Sequence, residues 1–381
     1  MSASGPDTAA ALEQIPLARP VLGEPEEAAV LEVLRSGQLS IGPRTIAFEE
    51  AFAGRLGVRY GCAVSSGTAG LHLGLRAVGV VEGDEVITSP FSFVASANVV
   101  VYERARPVFV DIDPVTLNLD PAAVEAAVGE RTRAILPIHI FGYPADVPRL
   151  EGLGLPIVED ACEALGAFHP DGTAVGGRGH PAAFGFYANK QLTTGEGGMV
   201  TTADAAVKER IDSERNQGRA PDMGWLDHDR LGFNYRLSDI ACAIGLAQLD
   251  RLDQLLADRA RVASLYYEAM AGLSRERGVA LPCPDAGGNR RGWFVWVVQL
   301  PSDVDRDEAI GRLGQLGVQS KPYLPAIHLM SFYREMLGHR PGEFPISEDV
   351  AARSVALPFF PAMTEGEVAR VAEALQSVLR A

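Results

Sequence analysis

The sequence predicts an α/β fold with a mostly parallel sheet covered by helices on both faces. Between residues 60 and 202, short apolar segments of strand character alternate with segments of helical character. Several of the apolar segments end in polar or glycine-rich turns. The chain has 381 residues, more than one domain usually contains. We therefore expect a large sheet domain followed by a smaller one.

Composition and charge exclude several classes of protein. Hydrophobic residues make up 47% of the chain and charged residues 22%, as in an ordinary soluble enzyme. The net charge of −15 opposes binding to nucleic acid or to anionic membranes. A small ligand that carries phosphate stays possible, because a local site can oppose the overall field.

Targeting and metal-binding signals are missing from the sequence. The first ten residues have no basic region and no long apolar run, and no segment has the length of a membrane span. The cysteines are scattered without the spacing of metal ligands, and they are Cys62, Cys162, Cys242 and Cys283. We expect a cytoplasmic protein with free thiols, no metal and a disordered segment over residues 1–14.

The first predicted elements are two helices, at 24–36 and 45–56. Leu31 and Leu34 are expected on the apolar face of the first, and Phe48 and Phe52, four residues apart, on that of the second. The first strand follows at 60–64.

A polar turn, Ser65-Ser66-Gly67-Thr68, joins that strand to a helix predicted over 69–78. Free amides and the helix dipole at such a point favour a phosphate group. An ordinary helix cap by Ser66 or Thr68 would explain the same residues.

Further strands and helices continue the alternation. Strands are predicted at 84–88, 107–111, 134–139 and 156–160, with helices ending near Tyr102 and covering 121–128. In such sheets ligands bind beyond the carboxyl ends of the strands, where Gly67, Thr68, Phe93, Asp160 and Lys190 are placed.

Residues 184–202 form a strand, a glycine-rich loop and a second strand. Lys190 lies in this loop and is one of only three lysines, with Lys208 and Lys321. It is either a strand-end lysine that reaches water or an amine held in a cleft to form a Schiff base.

Asp160 closes the apolar run 156–160, where a buried carboxylate is costly unless it has a partner. An arginine or a helix cap would serve, and so would a protonated ring nitrogen. An amine, an acid, a phosphate cradle and the aromatic Phe93 together match the parts of pyridoxal 5′-phosphate (PLP): its aldehyde, ring nitrogen, phosphate and ring face.

From about Ile15 to its end, the chain resembles the DegT/StrS family of PLP-dependent aminotransferases, which mostly make amino sugars. The most specific likeness is Asn189-Lys190-Gln-Leu-Thr-Thr-Gly-Glu-Gly-Gly198, close to the lysine motif of the family. Four other segments resemble family motifs and occur in the family order; they are 66–71, 88–93, 159–166 and 232–239. The resemblance implies the type I fold, with a mostly parallel, seven-stranded type of sheet and a smaller C-terminal α+β domain.

The resemblance also implies roles for single residues. Lys190 would form the Schiff base with the cofactor, and Asp160 would bind the pyridine nitrogen. The other implied cofactor contacts are ring stacking by Phe93, phosphate binding by Gly67 and Thr68, a place near the ring hydroxyl for Glu163, and Asn234 arriving from the partner subunit of a homodimer.

One departure from the family pattern concerns the phosphate. Relatives commonly carry a serine five residues before the lysine, and here that position is Gly185. One hydrogen bond to the phosphate is then missing or is supplied by another group, and cofactor binding could be weaker.

The C-terminal part is predicted as a small domain. We assign residues 15–250 to the large PLP-binding domain and 251–381 to the small one, with a long helix over 237–273, a strand over 293–300 and a helix over 304–316. The tail 350–379 reads as a segment broken by prolines and then an amphipathic helix. Tyr323 and His328 lie in a loop that resembles a family loop near the substrate; either they contact substrate, or Tyr323 packs and His328 caps a helix.

The function implied is transfer of an amino group from L-glutamate to a keto sugar, foremost a nucleoside-diphosphate-linked 4-keto-6-deoxyhexose. A cyclitol or another ketone without a nucleotide is the alternative acceptor. A PLP-dependent dehydratase is less consistent with Lys190, because those relatives usually have histidine there. A non-catalytic relative would be expected to lose Lys190 or Asp160, and both are present.

Overall fold

A computed structural model describes residues 14–220 and 227–380, so the predicted disordered segment lies outside the described residues apart from Gln14. The helices of the described part are α1 (Glu24–Ser36), α2 (Pro43–Leu56), α3 (Gly67–Ala77), α4 (Ala95–Tyr102), α5 (Pro121–Ala127), α6 (Val147–Glu151), α7 (Ala205–Arg215), α8 (Asp239–Asp250), α9 (Leu252–Arg277), α10 (Arg306–Gln315), α11 (Ser331–Leu337), α12 (Pro345–Arg353) and α13 (Glu365–Arg380). The strands are β1 (Tyr60–Val64), β2 (Glu85–Thr88), β3 (Arg106–Phe109), β4 (Thr132–Ile135), β5 (Glu159–Asp160), β6 (Ala182–Gly185), β7 (Gly198–Thr202), β8 (Trp296–Gln299), β9 (Lys321–Pro322) and β10 (Ser354–Leu357).

The large sheet has the order β1-β7-β6-β5 on one side and β4-β2-β3 on the other. Single parallel bridges, Ile135 to Ile157 and Ile138 to Asp160, join β4 and its extension to the chain around β5. Only β7 runs antiparallel to its neighbours in this sheet. The predicted mostly parallel α/β fold is therefore confirmed, and the carboxyl ends of the parallel strands meet at one edge.

Aromatic packing supports the stretch that carries Lys190. Phe48 and Phe52 of α2 are fully buried, as their spacing predicted. The Phe52 ring lies 5.1 Å from that of Phe184 and 5.5 Å from that of Phe186, centroid to centroid. Such edge-on aromatic contacts add to the burial of the rings. They anchor β6 and the start of the following loop against α2.

A second core lies in the C-terminal part. Strands β8, β10 and β9 form an antiparallel sheet in that order. Helix α9 packs on α13, and residues of both share one buried cluster with Trp296. Ile15, near the start of the chain, belongs to the same cluster and forms a parallel bridge with Val318. The division into domains at residue 250 stays a prediction.

Several predicted elements differ from those observed. The single helix expected over 237–273 is two helices, α8 and α9, separated at Arg251, whose φ is −114° and ψ is 15°. The Arg251 guanidinium donates to the carbonyl of Val21 at 2.7 Å. The apolar spacing of α8 and α9 continues across Arg251, so the periodicity of the sequence could not show where the helix breaks.

The apolar face predicted for α1 is not the buried one. Leu31 and Leu34 are about half exposed, whereas Glu26 and Val33 are buried. Glu26 is held by the side-chain amide of Gln248 at 2.7 Å, a tertiary contact that local sequence does not reveal.

In the tail 350–379, the segment predicted to be broken by prolines contains the end of α12 and strand β10, and the predicted amphipathic helix is α13. Pro345 stands in the first turn of α12, a position that a helix tolerates. Among residues 14–220 and 227–380, no helix has the length and apolar character needed to cross a membrane.

Candidate active site

A cavity of about 380 Å³ opens at the carboxyl edge of the large sheet. It brings together seven of the nine residues that the sequence singled out. They are Gly67, Thr68, Phe93, Asp160, Glu163, Lys190 and Tyr323. These residues come from five separate parts of the chain. Four parts lie at or after the ends of strands of the large sheet, and Tyr323 follows β9 of the C-terminal sheet.

One end of the cavity is the first turn of α3. Ser66 caps this helix, because its Oγ accepts a hydrogen bond from the Ala69 amide at 3.1 Å. Gly67 packs so closely that a Cβ atom on it would lie 2.6 Å from Cys162 Sγ. The first turn of a helix with a close glycine is suited to an anion such as phosphate. The cap by Ser66 therefore does not exclude the predicted binding of phosphate at this turn.

The acid of the cavity is Asp160, at the end of β5. It is only 6% exposed. Its Oδ2 accepts a hydrogen bond from Ser96 Oγ at 2.7 Å, and its Oδ1 accepts one from the Cys162 amide at 3.2 Å. Its hydrogen-bond partners among the described residues are Ser96 and Cys162, and an arginine is not one of them. The carboxylate thus keeps acceptor capacity for a further donor in the cavity.

The amine of the cavity is Lys190. Its Nζ lies 4.0 Å from the centroid of the Phe294 ring and 3.7 Å from Glu163 Oε1. Its side chain is 15% exposed, so it does not extend into bulk water. The backbone is fixed as well, because the Lys190 carbonyl accepts a hydrogen bond from Arg259 at 3.0 Å. Of the two readings of this lysine, the geometry favours an amine held in a cleft.

Beside the amine lie Glu163, which is buried, and Tyr323, which is half-buried, and we call these two residues the acidic pair. Glu163 Oε2 accepts a hydrogen bond from the Phe141 amide at 2.9 Å. Burial raises the pKa of the Glu163 carboxyl, although Lys190 opposes the rise. Burial, together with the neighbouring Glu163, holds the pKa of the Tyr323 hydroxyl well above its usual value. Both shifts are towards the protonated form, and the Tyr323 hydroxyl can donate a hydrogen bond in this part of the cavity.

Two predicted site residues lie outside the cavity. His328 is fully buried, and its Nε2 lies 3.1 Å from Glu348 Oε1. The helix cap given as the alternative role of His328 is not observed, because its ring pairs with a side chain, and its contact with substrate stays a prediction. Asn234 is exposed, and its backbone forms an antiparallel bridge with Asn216. Its side chain is therefore free to face another molecule, as the predicted role requires.

Other residues of the site were not identified from the sequence. Ser92 and Ser96 are hydrogen-bonded to each other at 3.0 Å and connect Asp160 to α4. Their spacing of four residues near a helix start is a weak signal, because serines commonly cap helices. Tyr187, Glu196 and Cys162 also line the cavity. Only their position beside Lys190 and Asp160 in the sequence could have suggested them.

Gly185, the departure noted in the lysine segment, faces the anion end of the cavity. A Cβ atom there would lie 3.5 Å from Cys162 Cβ and 3.9 Å from Gly67 Cα, which are ordinary contacts. The position thus has room for a small side chain. No group of three or more potential metal ligands occurs within residues 14–220 and 227–380.

Comparison with known proteins gives consistent matches along the chain. A sequence model described as the DegT/DnrJ/EryC1/StrS aminotransferase family matches residues 20–376. GDP-perosamine synthase of Caulobacter vibrioides is 39% identical over 375 residues, covering 97% of this chain and 99% of that protein.

Solved structures extend the comparison to the fold. DesV of S. venezuelae, in complex with a ketimine intermediate, is 33% identical with a TM-score of 0.87, over 93% of this chain and 94% of that one. The structure of 3-amino-5-hydroxybenzoic acid synthase is 29% identical with a TM-score of 0.89, over 97% and 100% of the two chains.

Proposed function

The chain belongs to the DegT/DnrJ/EryC1/StrS aminotransferase family, and from this premise we propose that it is a PLP-dependent aminotransferase that uses Lys190. The observation that carries the proposal is the meeting of an amine, a buried acid and a helix N-terminus around one cavity. The type I fold of the family agrees with the sheet order and with the structural likeness to DesV.

The residues present fit the cofactor. The first turn of α3, with Gly67 and Thr68, would hold the phosphate, and Phe93, which is 61% exposed at the cavity wall, would cover the ring. Asp160 has a free acceptor position for the protonated ring nitrogen. When bound, PLP would supply an electron sink for the carbon that loses its proton.

The amine and the acidic pair have separate tasks in this proposal. Lys190 Nζ would take a proton from the Cα of the donor, and in the second half-reaction it would deliver a proton to the acceptor carbon that receives the amino group. Glu163 would stay beside Nζ and near the cofactor ring hydroxyl, and Tyr323 would contribute a donor at the substrate side. The buried setting limits water around the transferred proton.

For substrates, we propose L-glutamate as donor and a nucleoside-diphosphate-linked 4-keto-6-deoxyhexose as acceptor. The similarity to GDP-perosamine synthase supports a nucleotide sugar. A ketone without a nucleotide is the second candidate, which the similarity to 3-amino-5-hydroxybenzoic acid synthase supports.

We also propose that the chain works as a homodimer with composite active sites. Around α1 and the start of α2, apolar side chains are 45–59% exposed, and they are Leu31, Leu34, Leu39, Ile41 and Ile46. Clustered exposed apolar residues of this kind mark a protein interface. Leu39 lies next to the segment that carries Asn234, because its carbonyl accepts a hydrogen bond from the Asp239 amide. A second copy that covers this surface would bring Asn234 to the neighbouring cavity.

The decisive experiment is an absorption spectrum of the purified protein with PLP, before and after L-glutamate. We expect a yellow band that L-glutamate bleaches and that a panel of keto sugars restores. A yellow protein that L-glutamate leaves unchanged would exclude this donor. A protein that takes up no PLP would contradict the proposed cofactor.

The two acceptor classes are separated by a melting experiment. If the acceptor carries a nucleotide, a nucleoside diphosphate at about 100 times its Kd is expected to stabilise the protein by roughly 2.7 kcal/mol and so raise its Tm. No shift with any nucleoside diphosphate, together with turnover of a free ketone, would favour the second candidate.

Asp160→Asn is expected to lower kcat by about 10- to 100-fold, because a hydrogen bond to a charged group contributes roughly 1.5–3 kcal/mol. Asparagine keeps the shape of the side chain and can still accept a hydrogen bond from Ser96. The measurement is steady-state kinetics with PLP in excess. Asp303→Asn, at an exposed turn, is the matched control. Unchanged kcat in Asp160→Asn would remove this acid from the proposed mechanism.

A further inference from the structure

A cluster of buried and half-buried charged and aromatic side chains lies at the later turns of α3, away from the first turn that lines the cavity. It consists of His72, Arg76, Glu103, Glu214, Phe233 and Tyr235, and we name it the Arg76 cluster. We propose that this cluster positions the segment 233–235 so that Asn234 completes the cavity of the partner subunit. The inference rests on the proposed homodimer and adds positioning residues to it.

Arg76 is the centre of the cluster. Its guanidinium donates to Glu103 Oε2 at 2.8 Å and to Glu214 Oε2 at 2.5 Å. Arg210 adds a second cation, because its Nε lies 2.8 Å from Glu214 Oε1. Glu214 is 1% exposed, so its charge depends on these partners. Buried charges paired in this way tolerate few alternative arrangements.

Two aromatic rings of the segment 233–235 pack against these charged side chains. Phe233 and Tyr235 are stacked, with centroids 4.9 Å apart and planes 13° from parallel. Arg76 Cζ lies 5.2 Å from the Phe233 centroid, and His72 Nδ1 lies 3.3 Å from the Tyr235 hydroxyl. His72 is tied back to Glu103, with Nε2 2.7 Å from Oε1.

The backbone of the segment is held on both sides. Tyr235 accepts a hydrogen bond from the Ser65 amide at 2.8 Å and donates one to the Arg215 carbonyl at 2.9 Å. Phe233 donates to the Glu214 carbonyl at 2.6 Å. In extended chain, alternate side chains point to opposite faces. With Phe233 and Tyr235 fixed inward on the cluster, Asn234 must point outward, and it is exposed.

Helix α3 therefore contacts both the cavity and the segment 233–235. Its first turn, at Gly67, closes one end of the cavity of its own subunit. Its later turns, at His72 and Arg76, fix the segment that would reach the other subunit. Ser65, next to that first turn, is bonded directly to Tyr235. The bond between Ser65 and Tyr235 is a backbone bond, so changing a side chain of the Arg76 cluster leaves it in place. Such a change should therefore weaken cofactor binding in the partner's cavity rather than in the cavity of its own subunit.

Mixed dimers test this directionality. The variant is Phe233→Leu, which removes the ring between Tyr235 and Arg76 and leaves every ion pair in place. A second mutation, Lys190→Ala, silences one cavity, so that the yellow absorbance of PLP bound covalently to lysine reports only the other. In one mixed dimer both mutations lie in the same chain. In the second, Phe233→Leu lies in the chain that keeps Lys190.

The readout is the affinity for PLP, measured by titrating the cofactor-free protein. We expect about tenfold weaker binding in the first mixed dimer, where the reporting cavity receives the altered segment, if the segment is in place about a tenth of the time. The second mixed dimer should bind as tightly as one that carries only Lys190→Ala. Phe332→Leu, at an exposed ring on α11, is the control and should change nothing.

Other results would overturn the proposal. They are weaker binding only in the second mixed dimer, equal loss in both, no loss in either, or a wild-type protein that is monomeric. Tyr235→Phe, which removes only the hydroxyl, replaces Phe233→Leu if the latter does not assemble. A wild-type dimer that takes up no PLP at all would instead contradict the proposed cofactor.

Discussion

Lys190→Ala is expected to abolish amino transfer, with a loss in kcat of at least about 10³-fold, because the same Nζ is both the attachment point for the cofactor and the base that moves the proton. In the structure no other lysine can substitute. Lys208 is paired with Asp212 and Glu49, and Lys321 is exposed on β9. The variant should also lack the yellow band in the absorption spectrum.

Folding of this variant can be checked separately. The Lys190 backbone is held by Arg259, and that contact does not depend on the side chain. The cofactor-free variant should therefore still fold, with a Tm lowered only by the loss of the Nζ contacts with Glu163 and Phe294. Lys321→Ala is the matched control, with full activity and an unchanged spectrum. Activity retained in Lys190→Ala would refute the proposed mechanism.

Gly67→Ala is expected to weaken PLP binding by at least about tenfold, or roughly 1.4 kcal/mol. The added methyl group would lie 2.6 Å from Cys162 Sγ and 3.2 Å from Gly185 Cα, so the anion end of the cavity must shift. The measurement is titration of the cofactor-free protein with PLP. Because the closest contact is with a side chain, Gly67→Ala combined with Cys162→Ala should recover part of the affinity, and the contact with Gly185 Cα should keep it from full recovery.

Gly185→Ala is the matched control for this prediction. Its methyl group would meet nothing closer than 3.5 Å, so PLP affinity should change little. Gly185→Ser should bind PLP more tightly, since it restores the hydroxyl that relatives commonly carry at this position. Equal effects of Gly67→Ala and Gly185→Ala would contradict the view that the α3 turn is the phosphate end.

The sequence predicted which residues meet at the cavity better than it predicted the bounds and the buried faces of the helices. Alternating strands and helices place Asp160 and Lys190 at the same sheet edge, because parallel strands all end there. The packing of Phe48 and Phe52 followed from their spacing of four residues. These inferences need only the periodicity of the sequence and the rule that the carboxyl ends of parallel strands meet at one edge of the sheet.

The differences arise where a distant residue decides the outcome. Glu26 is buried on α1 because Gln248, more than two hundred residues later, holds its carboxylate. His328 is buried because its Nε2 pairs with the Glu348 carboxylate. Ser96 supports Asp160 through a side chain on a different element. Such pairs follow from tertiary contact, and no spacing within one segment indicates them.

The bridge between Ile15 and Val318 has a mechanical consequence. The chain connects the C-terminal sheet and its helices to the large sheet at two places, just after Ile15 and again near Arg251. The two sheets also share one buried cluster, in which Val297 and Ala356 pack with Val86 and Ala134. Cutting the chain between residues 17 and 23 would therefore remove one connection and leave the other, at the start of α9, together with this shared packing.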